Sequence, residues 1–224
     1  VGVATPFGTE TWNYWTWMTV FFSWLVATSQ AGAQGTLVLE NGRVGLSFER
    51  TTGTLEAIQN KLTGETYQVS GDRFAVEAVE FRLDFADAKL TSLKQQGETL
   101  KAQYQSGGVT IDVTYTLAPD RHFAEKQIIV TCNRPYGLKK VVLSRPTFAA
   151  ANLRMISYRY PKYGRKSGEE PTCTFFGRTP KGGFFVGVEV PFDASSLDGR
   201  QVTLTYAPSL KVKTGEKLAC EPAY

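Results

Sequence analysis

The chain has 224 residues, of which 42% are hydrophobic and 21% are charged. This composition is typical of globular proteins and excludes a disordered or fibrous chain. The net charge of +4 comes from scattered basic residues, which argues against a nucleic-acid-binding protein, because such proteins concentrate their basic residues on one surface. The length suits one large all-β domain or two small domains.

The N-terminal segment contains no charged residue from Thr11 to Leu39. Its apolar part is shorter than the roughly 20 residues of a membrane span, and Ala31-Gly32-Ala33 matches a signal-peptidase site. We therefore predict a signal peptide over residues 1–33, a mature domain over residues 34–224, and a secreted or periplasmic protein. No Lys or Arg precedes the apolar run, as a signal peptide normally requires, and the first Met is Met18. An uncleaved membrane anchor or a buried helix is the alternative.

The clearest predicted element is a β-hairpin from Leu100 to Leu117. Apolar residues alternate with polar ones on both sides of Gly107-Gly108, which is the pattern of two strands with one dry face. Similar but shorter patterns predict strands at Leu37–Leu39, Val44–Phe48, Leu55–Asn60, Phe74–Phe85, Leu90–Gln96, Phe123–Asn133, Lys139–Phe148, Met155–Tyr158, Cys173–Phe176, Phe184–Val190 and Val202–Tyr206.

The strand Phe184–Val190 follows a turn signalled by Pro180 and Gly182-Gly183. Both of its faces are apolar apart from Glu189, so we expect this strand to be buried on both sides.

The predicted fold is all-β. No sustained helical periodicity follows residue 34, and about a dozen strands with short turns indicate a large antiparallel β-sandwich in a single domain.

The three cysteines are Cys132, Cys173 and Cys220. In an exported protein this odd number leaves one disulfide and a spare thiol, or a partner outside the chain. The alternative is that they are small buried hydrophobic residues. Three isolated cysteines and one histidine do not have the spacing of a zinc site, so the sequence indicates no metal and no cofactor.

Three segments resemble a known family. Leu37–Leu55 reads LVLENGRVGLSFERTTGTL, Tyr115–Lys126 reads YTLAPDRHFAEK, and Lys181–Phe192 reads KGGFFVGVEVPF. Together with Gly215-Glu216 and the final EPAY, they resemble the N-terminal supersandwich domain of melibiase-type, α-galactosidase-like glycoside hydrolases, a sandwich related to galactose mutarotase. The resemblance implies a β-sandwich that precedes a (β/α)₈ barrel with two catalytic carboxylates, and the barrel would begin near Tyr224. None of the matching segments is a catalytic signature.

The sequence contains no evident catalytic couple. A glycosidase needs an acid and a nucleophile or base on opposite sides of the scissile bond. Glu189 is the one acidic residue inside an apolar strand and is the weak candidate, because burial would raise the pKa of its carboxyl; an interface residue is the alternative. His122 is the only histidine, which excludes a histidine pair, and we interpret it as a structural or surface residue. No Gly-x-Ser-x-Gly motif is present.

The candidate ligand-binding residues lie at two places: a loop rich in tyrosine and basic residues from Tyr158 to Lys166, and the later turn near Arg178 and Lys181. Aromatic faces stack on sugar rings, and arginine holds carboxylates in bidentate geometry. A domain interface and a solvated loop are the alternatives, since tyrosine and arginine are also favoured at interfaces. The candidates are Tyr158, Tyr160, Tyr163, Arg165, Arg178 and Lys181.

We therefore predict an accessory β-sandwich of an exported glycoside hydrolase that is not catalytic alone. Its partners would be carbohydrate and a C-terminal catalytic barrel of the same polypeptide. A free-standing carbohydrate-binding module or envelope protein is the alternative, and a mutarotase-like isomerase is disfavoured by the single histidine.

Overall fold

The computed structural model describes residues 35–158, 174–189 and 195–224, and this part of the chain is almost entirely β-structure. The only helical element described is one 3₁₀ turn, Phe85–Asp87. The strands are β1 (Thr36–Glu40), β2 (Val44–Glu49), β3 (Leu55–Asn60), β4 (Glu65–Ser70), β5 (Ala75–Ala78), β6 (Arg82–Asp84), β7 (Lys89–Gln96), β8 (Thr99–Ser106), β9 (Val109–Thr116), β10 (Glu125–Cys132), β11 (Tyr136–Ser144), β12 (Thr147–Ala149), β13 (Arg154–Tyr158), β14 (Thr174–Arg178), β15 (Gly183–Gly187), β16 (Ser196–Asp198), β17 (Gln201–Tyr206), β18 (Leu210–Val212) and β19 (Lys217–Ala219).

The strands form three antiparallel sheets. The large sheet has the order β1-β2-β3-β4-β12-β17-β11-β5-β6, with β16 beside β17 and β18 beside β11. A five-stranded sheet has the order β19-β10-β9-β8-β7, and a three-stranded sheet has the order β13-β14-β15. These antiparallel sheets confirm the predicted all-β sandwich.

The segment 222–224 joins the two smaller sheets. Ala223 exchanges two backbone hydrogen bonds with Lys126 at the start of β10, and Tyr224 exchanges two with Gly187 at the end of β15. Glu189 N–H also donates to the carbonyl of Pro222 at 3.2 Å. The five- and three-stranded sheets are therefore connected through the backbone of this short segment.

The hydrophobic core is one continuous cluster to which all three sheets contribute. Phe48 of the large sheet meets Tyr115 of β9 with ring centroids 4.7 Å apart, and Tyr67 of β4 meets Phe184 of β15 at 4.6 Å. Because the inward faces of the sheets meet in this way, the alternation along each strand separates buried from exposed residues.

The hairpin predicted from Leu100 to Leu117 is confirmed. Strands β8 and β9 pair in register from Thr99↔Thr116 to Ser106↔Val109, around a two-residue turn. Gly107 and Gly108 have φ values of 53° and 81° there, a conformation that favours glycine. The apolar members of the alternation are buried, as expected: Leu100, Ala102, Tyr104, Val109, Ile111, Val113, Tyr115 and Leu117.

Several predicted strand bounds were wrong. The predicted strand Phe74–Phe85 is two strands joined by a turn, in which Ala78 N–H bonds to the carbonyl of Phe81. The predicted strand Lys139–Phe148 is divided at Pro146, because proline cannot donate to a sheet. Strands β4, β16, β18 and β19 were not predicted, since each is short and carries few apolar residues.

The strand after the glycine turn is buried on one side only. It ends at Gly187, and while Val186 is buried, the side chain of Phe185 on the other face is 40% exposed. Glu189 lies beyond the strand and is exposed, so the expected burial of its carboxyl is wrong.

The described residues contain no helix that is long and apolar enough to cross a membrane. The predicted signal peptide, residues 1–33, lies outside the described residues.

Candidate functional site

A cavity of about 330 Å³ lies between the large sheet and the two smaller sheets. Its volume is at the lower end of the range for small-molecule sites. Residues of β2 and β3, the start of β10, β15 and the segment 222–224 line it. Much of the wall is apolar, and the polar side chains include Arg43, Asn60, Asp72, Tyr115, His122 and Lys126.

The buried polar group of the cavity is centred on Asp72, which follows β4. Its carboxylate accepts a hydrogen bond from Tyr115 O–H at 2.6 Å and one from Lys126 Nζ at 2.9 Å. The hydroxyl of Ser144, at the end of β11, donates a third. All four residues are buried. The network therefore joins the large sheet to the five-stranded sheet at the cavity.

The charges around Asp72 fix its protonation state. Burial, the largest effect, opposes ionisation, but the Lys126 ammonium and the donors Ser144 and Tyr115 together hold the pKa of Asp72 below its ordinary value of 3.8. Burial, followed by the Asp72 charge, raises the pKa of Tyr115 well above its ordinary value. Asp72 is therefore an ionised carboxylate engaged with three donors, which makes it a poor base, and Tyr115 stays protonated.

Aromatic side chains surround part of the cavity. The ring of Phe123 lies 6.1 Å from that of Phe185 and 5.4 Å from that of Tyr224, between centroids. All three residues line the cavity, and His122 lies beside them with an exposed side chain. The Arg121 guanidinium lies 5.4 Å from the centroid of Phe123. We call Phe123, Phe185 and Tyr224 the aromatic rim.

A second polar cluster holds the β14–β15 hairpin against the large sheet. The Glu65 carboxylate of β4 accepts hydrogen bonds from Thr179 and from Tyr67 O–H, the latter at 2.9 Å. Burial, followed by the hydrogen bond to Glu65, raises the pKa of Tyr67 to about 12. Tyr67 lines the cavity, so this cluster fixes one of its walls.

Of the predicted ligand-binding residues, only Arg178 and Lys181 have described side chains, and neither lines this cavity. Arg178 ends β14, Lys181 lies in the turn that follows, and both are exposed outside the cavity lining. Tyr158 ends β13, and only its backbone is described. Tyr160, Tyr163 and Arg165 lie outside the described residues.

The weak catalytic candidate, Glu189, accepts a hydrogen bond from Tyr224 O–H at 3.2 Å. The residue is exposed, although burial within a strand was expected.

Sequence reasoning missed the Asp72 network. One signal was available: Lys126 shares a strand face with Ile128, Val130 and Cys132, so the alternation of β10 places a lysine among buried residues. A charge at an inward position predicts a buried partner of opposite sign. The identity of that partner is not readable, since Asp72 is separated from Lys126 by 54 residues.

The described residues contain no group of three or more His, Cys, Asp or Glu side chains placed to hold a metal ion. Cys132 and Cys220 are free thiols and both are buried, which agrees with the interpretation of these cysteines as small buried hydrophobic residues. Burial, followed by the Glu221 charge, raises the pKa of the Cys220 thiol to about 12, which makes it unreactive. Cys173 lies outside the described residues.

No family model and no curated protein matches the sequence. Among solved structures, the chain is similar to a galactose mutarotase related enzyme from Lactobacillus acidophilus, with 9% identity, a TM-score of 0.45, and coverage of 84% of this chain and 96% of the other. It is also similar to a galactose mutarotase-like protein from Lactobacillus casei, with 8% identity, a TM-score of 0.48, and coverage of 84% of this chain and 98% of the other. A putative aldose 1-epimerase from Escherichia coli K12 has 14% identity and a TM-score of 0.46, with coverage of 84% of this chain and 97% of the other. The link to melibiase-type hydrolases stays a prediction.

Proposed function

We propose that this chain is a carbohydrate-binding β-sandwich whose cavity accepts one sugar unit, and that it serves an exported α-galactosidase-like glycoside hydrolase as an accessory domain. The observation that carries the proposal is the pairing of the aromatic rim with the buried Asp72–Lys126 group in one cavity of about 330 Å³.

A sugar ring suits such a cavity because it has apolar C–H faces and a polar edge of hydroxyl groups. The aromatic rim provides surfaces for the faces. Lys126 donates to Asp72 alone among the described side chains, although an ammonium carries three donors, so it retains donors for a sugar hydroxyl. The lysine and aspartate charges balance each other, so this end of the cavity offers hydrogen-bond donors without a net charge.

The buried Asp72–Lys126 group also argues against catalysis of a sugar reaction by this chain. Opening a sugar ring or cleaving a glycosidic bond needs a positioned acid and base. Asp72, the one carboxylate of the described cavity lining, is engaged with three donors. We therefore propose a binding role, with the chemistry supplied by a catalytic barrel of the same polypeptide.

Saturation-transfer NMR with D-galactose tests the binding role. Phe123→Ala removes one member of the aromatic rim, and we expect the ring-proton transfer signal to fall about tenfold, since a sugar-stacking ring contributes on the order of 1 kcal/mol or more. Phe81→Ala is the matched control, because Phe81 is also half-buried and lies between an aromatic ring, Tyr136, and an arginine, Arg134. The proposal fails if neither the wild type nor the control gives a signal, or if both variants lose it equally.

Two further measurements test the hydrolase context. We expect the full chain not to cleave aryl galactosides, and cleavage that Glu189→Gln abolishes would contradict the accessory role. A free-standing carbohydrate-binding module would instead hold polysaccharide through the loop outside the described residues. In that case, binding would be lost in the combined variant Tyr160→Ala, Tyr163→Ala.

A further inference from the structure

We propose that the outer face of the three-stranded sheet binds an acidic polysaccharide, a polyuronate, as the continuation of the chain whose terminal sugar enters the cavity. This inference rests on the proposed sugar-binding function and adds the charge class of the ligand. Five residues of the face carry it: Arg154, Ile156, Phe176, Arg178 and Phe185.

Three of these side chains form an apolar row across the sheet. Ile156 of β13 pairs with Phe176 of β14, and Phe176 pairs with Phe185 of β15. Directly paired residues project from the same side of a sheet. Their exposed fractions are 39%, 41% and 40%, while Phe175 and Val186 on the opposite face are buried in the core. The row is thus a rigid apolar strip on the outside of the sandwich.

Two arginines lie next to this row. Arg154 and Arg178 are opposite each other on β13 and β14, two residues along each strand from Ile156 and Phe176. Both are exposed, and neither forms an ion pair with any residue that the structure describes. Like charges placed directly opposite are unfavourable in a sheet, and an anion between them removes that repulsion. A guanidinium pair is suited to carboxylates, which it binds in bidentate geometry.

The row is continuous with the cavity. Phe185 belongs both to the row and to the aromatic rim, and its ring contacts that of Phe123. A sugar polymer with one end in the cavity would therefore pass over Phe185 and then Phe176, with the arginine pair at one edge. The net charge of +4 adds a favourable long-range field for a polyanion.

A polysaccharide fits this face better than a protein. An ordinary protein interface takes roughly 20–30 residues a side. The row is three side chains long, and it joins a cavity rather than a broad apolar surface. A narrow strip of aromatic and cationic side chains matches one extended acidic chain.

Affinity electrophoresis of the full chain in gels containing soluble polygalacturonate tests the inference. We expect retardation in this gel and much less in a gel with fully methyl-esterified polygalacturonate, which has the same backbone without charge. Arg154→Gln combined with Arg178→Gln should weaken retardation about tenfold, which is the combined contribution expected of two exposed ion pairs with ligand carboxylates. Phe176→Ala should weaken it as well.

The matched control is Lys94→Gln combined with Lys101→Gln. These exposed lysines also lie directly opposite each other, on β7 and β8. The variant removes the same number of positive charges as the arginine variant and leaves the apolar row unchanged. It should retain binding within about twofold. Galactose binding by NMR separates the two proposals, because the arginine variant should keep it.

Three results would overturn the inference. One is equal retardation by the charged and the esterified polymers. Another is an equal loss of retardation in the arginine variant and the lysine variant. The third is the absence of retardation by either polymer for a chain that binds galactose. Thermal unfolding of each variant checks that it is folded.

Discussion

Replacing Lys126 by methionine leaves the Asp72 carboxylate buried without its counter-ion. The side chain of Asp72 is 1% exposed and that of Lys126 is 9% exposed, so the carboxylate is largely withdrawn from solvent when the ammonium is removed. Breaking a buried ion pair in this way costs about 3–5 kcal/mol of unfolding free energy. Tyr115 and Ser144 still donate to the carboxylate, so we expect the lower end of that range, about 3 kcal/mol.

The pH dependence makes the prediction specific. In the wild type the pKa of Asp72 is depressed, so its stabilising contribution is complete above 3.8 and is lost as the pH falls through the folded-state pKa. In Lys126→Met the attraction to the ammonium is gone and burial dominates, which raises the pKa above 3.8. The variant therefore gains stability relative to the wild type as the pH falls toward 3.8, because the buried carboxyl takes up a proton.

Urea unfolding of the wild type and Lys126→Met at about pH 7 and at about pH 4.5 measures both effects. The difference in unfolding free energy should be about 3 kcal/mol at the higher pH and smaller at the lower pH. Adding Asp72→Asn to Lys126→Met should recover part of the loss, whereas the exposed Lys101→Met should change stability by less than about 0.5 kcal/mol. A loss below about 1 kcal/mol, or a difference that does not shrink on acidification, would refute the reasoning.

Three other changes test separate parts of the structure. Tyr115→Phe should cost about 1–3 kcal/mol because it removes a donor to Asp72. Tyr136→Phe should be neutral or stabilising in denaturant melts, because the buried Tyr136 hydroxyl has no hydrogen-bond partner among the described residues. Gly183→Ala should destabilise the fold by more than about 2 kcal/mol, because the added Cβ would lie 2.3 Å from the backbone oxygen of Gly177. Gly42→Ala is the control: a Cβ at Gly42 would meet open space, so this variant should melt like the wild type. Ala223→Pro removes the N–H that donates to the Lys126 carbonyl at 2.9 Å. It should lower the unfolding free energy by about 3 kcal/mol, measured by calorimetry, and weaken galactose binding, measured by NMR.

Strand alternation predicted the fold where it was long and regular. Strands β8 and β9 are eight residues each and alternate throughout, so their hairpin, its turn and its buried face were all predictable. Strand β4 has only Tyr67 and Val69 as buried residues, and such a short pattern does not separate a strand from a loop. The strand interrupted at Pro146 could have been divided correctly, because proline cannot donate a hydrogen bond within a sheet.

The candidate site was less predictable than the fold because its parts are distant in sequence. Ser144 is 72 residues from Asp72, and Tyr115 is 43 residues away. Periodicity indicates which face of a strand a residue occupies, but it does not give the pairing of strands across the sandwich. The expected burial of Glu189 was wrong for a related reason: the apolar residues before it suggested a buried strand, but that strand ends two residues earlier.

Lys126 is the point at which the three sheets meet. Its side chain bonds to Asp72, next to β4 of the large sheet, while its backbone belongs to β10 and bonds to Ala223. The neighbouring Tyr224 then bonds to Gly187 at the end of β15 and also contributes to the aromatic rim. The geometry of the rim therefore depends on the same residue that holds the buried charge. A ligand that contacts both the rim and Lys126 would stabilise the junction of the sheets, so sugar binding should raise the melting temperature of the whole described domain rather than order one loop.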